Sequence, residues 1–496
     1  MGEDQGCFWE PTFNRSVKVH GVEESITSDA GVMLLREGDH RLGLTADLAA
    51  GMLDPRDPPH TRYTLTELLR ERVYALALGY RTQDDLDRLA QDKVFRAAVW
   101  DRPGQRVGKE RLGSQPTQSR LLDIVAGNQR NLEALRGALP EWVLRHQRAS
   151  GYDHGVQRGT IDLDSFPIEV RGRQQGSAYN GYYGKTIYHP LVASFSAEGD
   201  YDACRLGEGF VHAILRKGNA ASKAGAVRFL RHAWIKARKL ARTLDVRFDA
   251  AFTVAGVMDP LTDDGIRFLG RLRNNAVLDR LAEPYLSRRP GRPPKEGYQY
   301  AVELGQHRAE SWRHAQRLIL VIVDRPDPKT GQLDLLPRYF FLVTNWRQEE
   351  RSAYDLLEHY RRRGTFEDRL GEFNAVIGPA LSSPTFRENE ATLLLALLAH
   401  NLAGMLRGEM ELATPTSGWD LGRLVGTVLK AGATVRQKGR RLIVELAEGV
   451  GAAWKLLIER IQRWRLPSRW PTPPAPRPRP WVPPPAHAHV SLVLRL

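Results

Sequence analysis

The chain has 496 residues, and its 72 lysines and arginines outnumber 58 aspartates and glutamates for a formal net charge of +14. That length leaves room for about two to four domains with real cores, and the basic excess favours an anionic partner, nucleic acid before any other. Two cysteines, Cys7 and Cys204, stand too far apart for a disulfide framework or a cysteine zinc site. The acidic start "MGEDQGCFWEP" does not read as a signal peptide, and the longest apolar run, "LLLALLA" (393–399), is too short to span a bilayer.

The expectation is therefore a cytoplasmic protein with no membrane partner. Residues 1–155 are predicted to be helical, as a DNA-binding or dimerisation domain or as plain packing. In "TLTELLRERVYALALGY" (64–80) Leu68, Leu69, Val73 and Leu76 recur on a helical period behind a Thr64/Glu67 capping box, and "SRLLDIVAGNQRNLEALRGAL" (119–139) is similar. From 156 to 275 the pattern changes to a mixed α/β core. "RGTIDLDSFPIEV" alternates as a strand, the turn "GSAYNGYYG" leads to a second strand in "KTIYHPLVASF", and a third strand is placed near "YDACRLG". An amphipathic helix is expected over 223–244, with Phe229, Leu230, Ala233, Trp234, Ala237, Leu240, Ala241 and Leu244 on its apolar face. A strand at 245–252, a helix at 253–263 and a strand at 265–273 follow.

Residues 276–347 read as a β-rich insertion, with the break "RRPGRPPK" (288–295) and strands near 316–324 and 338–344 separated by "DRPDPKTG". The core resumes over 348–410 with helices at 349–375 and 388–407, and 411–466 is expected to be helical. Residues 467–496 are proline-rich and are expected to be disordered or extended.

The chemistry lies in carboxylates. On a strand, residues two apart share a face, so Asp162 and Asp164 project together, at a cost unless they are paired, solvated or neutralised by a metal. Asp249 falls in the apolar run "VRFDAAFTV", where a hydrogen-bonded helix cap is the plainer alternative. In the arginine-rich stretch "YRRRGTFEDR" (360–369), steps of about 100° per residue bring Tyr360, Arg363, Glu367 and Asn374 onto one helix face. Two strand aspartates and a helical glutamate in a basic chain suit a two-metal phosphodiester site: Mg²⁺ prefers carboxylate oxygens, and flanking arginines meet phosphates.

These motifs resemble those of the DDE transposases of bacterial insertion sequences. "IDLDSF" is similar to the first motif, with Asp164 as the first acid, and "VRFDAAF…GIRFLGRLRNN" to the second, with Asp249. Tyr360, Arg363 and Glu367 match the third, although Asn374 stands where the family usually has lysine and "DSF" stands for "DST". The likeness runs in order over most of residues 20–450 and includes "GVMLLREGDHRLGL", "YYGKTIYHPL", "FLVTNW" and "AHNLAGMLR".

The resemblance implies a ribonuclease-H-like mixed sheet with helices on both faces, a β-rich insertion domain and a helical N-terminal domain. It implies Mg²⁺, with Mn²⁺ as a substitute, held by Asp164, Asp249 and Glu367. Tyr360, Arg363, Asn374 and, in a minor-groove hook, Arg292 would contact DNA. It also implies a homodimer on double-stranded DNA, bringing element ends with terminal inverted repeats to target DNA in a bacterial nucleoid. Asp162 is placed beside the ligands rather than among them. A catalytically decayed or repurposed copy that only binds DNA is the alternative. "YYGKT" (182–186) is not a phosphate-binding P-loop, because its first glycine position is Tyr179.

Overall fold

The computed structural model describes residues 12, 19, 24–101, 110–199, 201–287, 297–326, 336–415, 418–438 and 441–465. Arg292 with its 288–295 break, most of the turn "DRPDPKTG" and the tail 467–496 lie outside the described residues.

A short strand β1 (Ser25–Thr27) leads into α1 (Val32–Leu42), α2 (Leu44–Gly51), α3 (Leu65–Ala77), α4 (Asp85–Leu89), α5 (Lys93–Val99), α6 (Gln115–Gly127) and α7 (Gln129–Ala149). The capping box at the start of α3 is present: Thr64 Oγ1 accepts from the Glu67 amide, and Glu67 Oε2 accepts from the Thr64 amide at 2.8 Å. The helix expected over 119–139 is two helices, because Asn128 ends α6 and caps α7 by accepting from the Arg130 amide.

Residues 156–282 supply β2 (Val156–Ser165), β3 (Ile168–Glu169), β4 (Ala178–Asn180), β5 (Lys185–Tyr188), β6 (Leu191–Glu198), α8 (Tyr201–Leu206), β7 (Gly209–Ile214), α9 (Ala226–Ala237), β8 (Ala241–Phe248), α10 (Ala255–Asp263), β9 (Arg267–Leu272) and α11 (Ala276–Ala282). Two expectations are corrected here. "YDACRL" is a helix, and the third strand is the following "GFVHAI". The helix expected to reach 244 ends at Ala237; Ala241 and Leu244 keep a helical period by coincidence but belong to β8.

Next come β10 (Tyr298–His307), β11 (Gln316–Asp324), β12 (Arg338–Thr344), α12 (Ala353–Arg361), α13 (Arg363–Glu372), a π-turn at Phe373–Ile377 and α14 (Phe386–Ala413). The chain continues through α15 (Leu421–Leu424), β13 (Ala433–Lys438), β14 (Arg441–Leu446) and α16 (Gly451–Gln462). The region 411–466 is thus not wholly helical: β13 and β14 form a small sheet with β1, and their period-two alternation of apolar residues carries that pairing.

An eight-stranded sheet of order β10-β11-β12-β9-β8-β2-β6-β7 organises the molecule. β2 pairs antiparallel with β6 and parallel with β8, and β8 pairs parallel with β9. The portion β7-β6-β2-β8-β9, flanked by helices, is the expected ribonuclease-H-like arrangement, and the strands of 276–347 prolong that same sheet rather than standing apart. One face packs on α9 and α10 through Ile161, Leu163, Phe229 and Leu230. On the other, Phe210 and Ala213 join the helical core around α3, α7 and α14. α14 is long and apolar enough to cross a membrane, yet 89% of its most apolar window is buried inside the protein, which makes it the central core helix.

Candidate active site

Because Ile161 and Leu163 of β2 enter the core under α9, Asp162 and Asp164 face the opposite side, toward α12 and α13. Asp162 is fully buried and lies directly beside Arg247 of β8. Arg247 grips it with both arms, Nε to Oδ1 at 2.7 Å and Nη2 to Oδ2 at 2.8 Å, the planar fork matching the carboxylate. The remaining Arg247 nitrogen, Nη1, donates to the His359 carbonyl.

The His359 ring sits between two carboxylates, with Nε2 2.6 Å from Asp245 Oδ2 and Nδ1 against Glu198. Burial works against its charge, but Asp245 and Glu198 outweigh this and lift the imidazolium up to about 9. Thr160 donates to Asp245 at 2.9 Å and Arg351 to Glu198 at 3.0 Å. The lattice ties α12 to β2, β6 and β8. Leu356 and Leu357 seat the same helix on Leu269, Ile319, Val321 and Leu342, so the strands from the insertion form part of its floor.

Beyond this lattice the strands end at a more open edge. The register ends on the pair Leu163–Phe248, so Asp164 and Asp249 are the residues that immediately follow it on the two segments, and the charge of Asp249 is felt at Asp164. Asp249 lies just past the end of β8, not inside it. Its Oδ1 accepts from the Ala251 amide at 3.0 Å, which makes it a turn residue; the cap of α10 is Val254.

Asp164 is drawn to a cation already present in the fold. Arg363, which is 4% exposed, donates from Nη2 to Asp164 Oδ2 at 2.7 Å and from Nη1 to the Leu163 carbonyl at 3.3 Å. Its Nε lies 3.4 Å from Glu367 Oε1, one helical turn further on. Burial nevertheless pushes the Asp164 carboxyl up to about 6; Arg363 pulls it back and the charge of Asp249 adds to the rise. Tyr360 is raised above its ordinary value by burial, with Asp249 and Glu367 adding.

The expected site residues are therefore only partly gathered. Arg363 contacts Asp164 and Glu367 directly, and Tyr360 and Asp249 lie within electrostatic reach of its guanidinium. The Glu367 side chain is 63% exposed, and among the described residues no three His, Cys, Asp or Glu side chains are arranged to hold a metal ion. Asn374 is exposed in the π-turn, off the regular helix that would align it with Glu367. The donor set still suits a hard cation: two neighbouring carboxylates, one desolvated enough to resist its charge, and a third on an exposed side chain tethered only by Arg363.

Sequence reasoning missed two features. Arg271 on β9 follows the last β8–β9 pair, Phe248–Gly270, as Asp249 does on its side, and it is exposed with its guanidinium over the Phe340 ring at 4.8 Å. It was visible in "GRLRNN" but had no spacing to single it out. The His359–Asp245–Glu198 lattice was missed because His359 lies more than a hundred residues from either carboxylate, and only the placement of His359 next to Tyr360 hinted at it.

A family profile described as "Transposase DDE domain group 1" matches residues 9–465, nearly the whole chain. None of the curated proteins compared with the chain matches it.

Proposed function

The chain belongs to the group 1 DDE transposases, and from that membership and the paired strand-end aspartates we propose that it cuts and joins DNA at the ends of its own element. It would bind the terminal inverted repeats as a dimer, cleave at the element ends and transfer the 3′ ends to target DNA. The observation that carries this reading is that Asp164 and Asp249 follow the last β2–β8 pair within electrostatic reach of each other, with Arg363 linking Asp164 to Glu367.

Mg²⁺, or Mn²⁺ in its place, would be held by Asp164, Asp249 and Glu367 and would supply charge stabilisation to the attacking and leaving oxygens of a phosphodiester. The chain's own residues do the rest. Arg363 balances the charge of Asp164 and, with Tyr360, sets the position of Glu367. Arg271 and Asn374 stand exposed where a backbone phosphate would lie. The lattice around His359 holds the helix carrying Tyr360 against the catalytic strands. The helical region 1–155 is assigned DNA binding or dimerisation, and the strands of 276–347 are assigned the transposon end. Phosphodiester exchange needs only water and a 3′-hydroxyl as nucleophiles, which accords with a chain that lacks a complete P-loop.

One observation favours a second reading. Asp164 is already neutralised by Arg363 and the three acids are not gathered, as a chain that only binds DNA would allow. Purified protein with labelled element-end DNA separates the two. Cleavage that requires Mg²⁺ and vanishes in Asp249→Ala, with binding retained, is the expected result. Binding without cleavage under Mg²⁺ or Mn²⁺ would establish the binder.

A further inference from the structure

The cavity lined by α7, β7 and α9 has no part in the chemistry above. Its volume is about 580 Å³, in the range of small-molecule sites. It lies on the far side of the sheet from the catalytic carboxylates. Ala193 of β6 pairs with Leu163 on one side and with His212 of β7 on the other, and the His212 ring stacks on Phe229 of α9 at 4.6 Å. That is the face packed on α9, whereas Asp162 and Asp164 point away from it.

The charge of the cavity is one-sided. Arg228, His232 and Lys236 recur every four residues, so they share one face of α9 and line one wall. Arg136 of α7 lines it too but is already engaged, with Nη1 2.7 Å from Glu133 and Nη2 2.7 Å from Glu390 of α14. Glu133, the carboxylate of the lining, is thereby answered. Neither Arg228 nor Lys236 makes an ion pair among the described residues. Burial depresses the half-buried Lys236 ammonium, Glu133 offsets part of this, and Arg136 adds to it.

Buried groups in the lining register the same excess. His212 is 3% exposed and is pushed well below its ordinary range, by burial first and then by Lys236, Arg136 and His232. Its Nδ1 has no hydrogen-bond partner among the described residues, and neither has Arg136 Nε. Polar atoms left unpaired in a protein interior are costly, and they recur where something else binds. The rest of the wall is apolar, made by Phe229, Ile214 and Ile235, the last 60% exposed. Arg228 and Lys236 stand about 12 Å apart along the helix axis, a gap that two long side chains can close over His232.

We propose that this cavity binds a small phosphomonoester on an apolar or aromatic body, its phosphate between Arg228 and Lys236 and its body against Phe229, Ile214 and Ile235. Phosphate oxygens could also come from DNA, but the charges favour the free ester. A phosphomonoester carries about two negative charges at neutral pH and a backbone phosphodiester about one, and two unengaged cations match the former. The site goes beyond the DNA-cutting reading and does not rest on it.

The test titrates the full chain calorimetrically, in chloride buffer without divalent metal, with phenyl phosphate, inorganic phosphate and dimethyl phosphate. Phenyl phosphate should bind about tenfold more tightly than inorganic phosphate, through burial of its ring, and about tenfold more tightly than the singly charged dimethyl phosphate. Arg228→Gln and Lys236→Met should each weaken phenyl phosphate about tenfold and together about a hundredfold. Neither side chain is tied to another, so both variants should keep the wild-type unfolding midpoint. Arg238→Gln, at the exposed end of α9 and outside the cavity, should change affinity by less than about twofold. No binding of phenyl phosphate at millimolar concentration overturns the inference, and so does equal affinity for dimethyl phosphate. An equal loss in Arg238→Gln overturns it as well, since the charge would then act as a diffuse field. A random-sequence duplex that displaces phenyl phosphate, and itself binds less well to the double variant, would give these cations to the DNA backbone. That outcome removes the inference and leaves the DNA-cutting reading intact, whereas a chain that binds phenyl phosphate but cuts no DNA removes that reading alone.

Discussion

Asp162 and Asp164 lie two residues apart on one strand and face the same side, yet they live in opposite electrostatic worlds. Asp162 is enclosed, gripped by Arg247, and belongs to a lattice in which each charge has a partner of opposite sign. Asp164 sits at the strand end, shares one arginine with Glu367 and adjoins a second aspartate, and its carboxyl is pushed up to about 6. The closed region holds the fold; the open edge has unmet demand for positive charge. Proteins keep such demand where function requires it and offset it elsewhere.

The largest expected effects come from breaking the closed region. Arg247→Ala leaves Asp162 buried without its partner and should cost about 3–5 kcal/mol, read as the midpoint of chemical denaturation. Replacing both partners together, Asp162→Leu with Arg247→Met, should recover most of that loss. At the open edge Asp249→Ala should change stability by less than about 1 kcal/mol while abolishing cleavage. Equal destabilisation at both places would dissolve the comparison.

Next in size is the response to alkali. The His359 imidazolium is held up to about 9, above its ordinary 6.5, so its contribution to stability is complete below pH 6.5 and is lost as pH rises through about 9. The shift corresponds to stabilisation on the order of 3 kcal/mol. His359→Gln should flatten this alkaline limb of the stability profile, and a wild-type profile level up to pH 10 would show that the imidazole is neutral.

The open edge has its own pH signature. With the folded Asp164 carboxyl at about 6 against an ordinary 3.8, the protonated form is the one that folding favours. Its contribution is complete below 3.8 and disappears as pH rises through about 6. The difference in stability between wild type and Asp164→Asn should therefore change across that window. Protons should also compete with a bound cation. Calorimetric Mn²⁺ affinity should rise by about tenfold per pH unit below 6 and level off above it.

These contrasts explain what could be read in advance. The strands at 316–324 and 338–344 were legible because their apolar runs are continuous and bounded by turn residues. The end of α9 was not, since Leu240, Ala241 and Leu244 satisfy helical and strand burial alike. β13 and β14 were passed over because a short amphipathic hairpin between helices resembles a helical tail in composition. At the site, residue type and spacing marked Asp162, Asp164, Asp249 and Glu367 alike, and the resemblance to DDE transposases set Asp164, Asp249 and Glu367 apart as the three acids. Nothing local could tell that Arg363 would lie against Asp164, or that Asp162 would be closed off by a strand 85 residues later. Ion pairs are made by register, and register appears only once the sheet is assembled.

The smallest expected effect sharpens the comparison most finely. Arg271 extends the row of Asp164 and Asp249 by one strand, but it is exposed, and its guanidinium rests on Phe340 without a carboxylate partner among the described residues. An arginine in the closed region is occupied by protein; this one has its charge to spare for phosphate. Arg271→Ala should leave stability nearly unchanged and reduce the slope of log binding constant against log salt by about 1 on element-end DNA. The same substitution at Arg351, which is committed to Glu198, should disturb stability and leave the salt slope alone. If both variants shift the slope equally, charge at this edge acts as a diffuse field, and the division between a closed lattice and an open row loses its meaning for DNA.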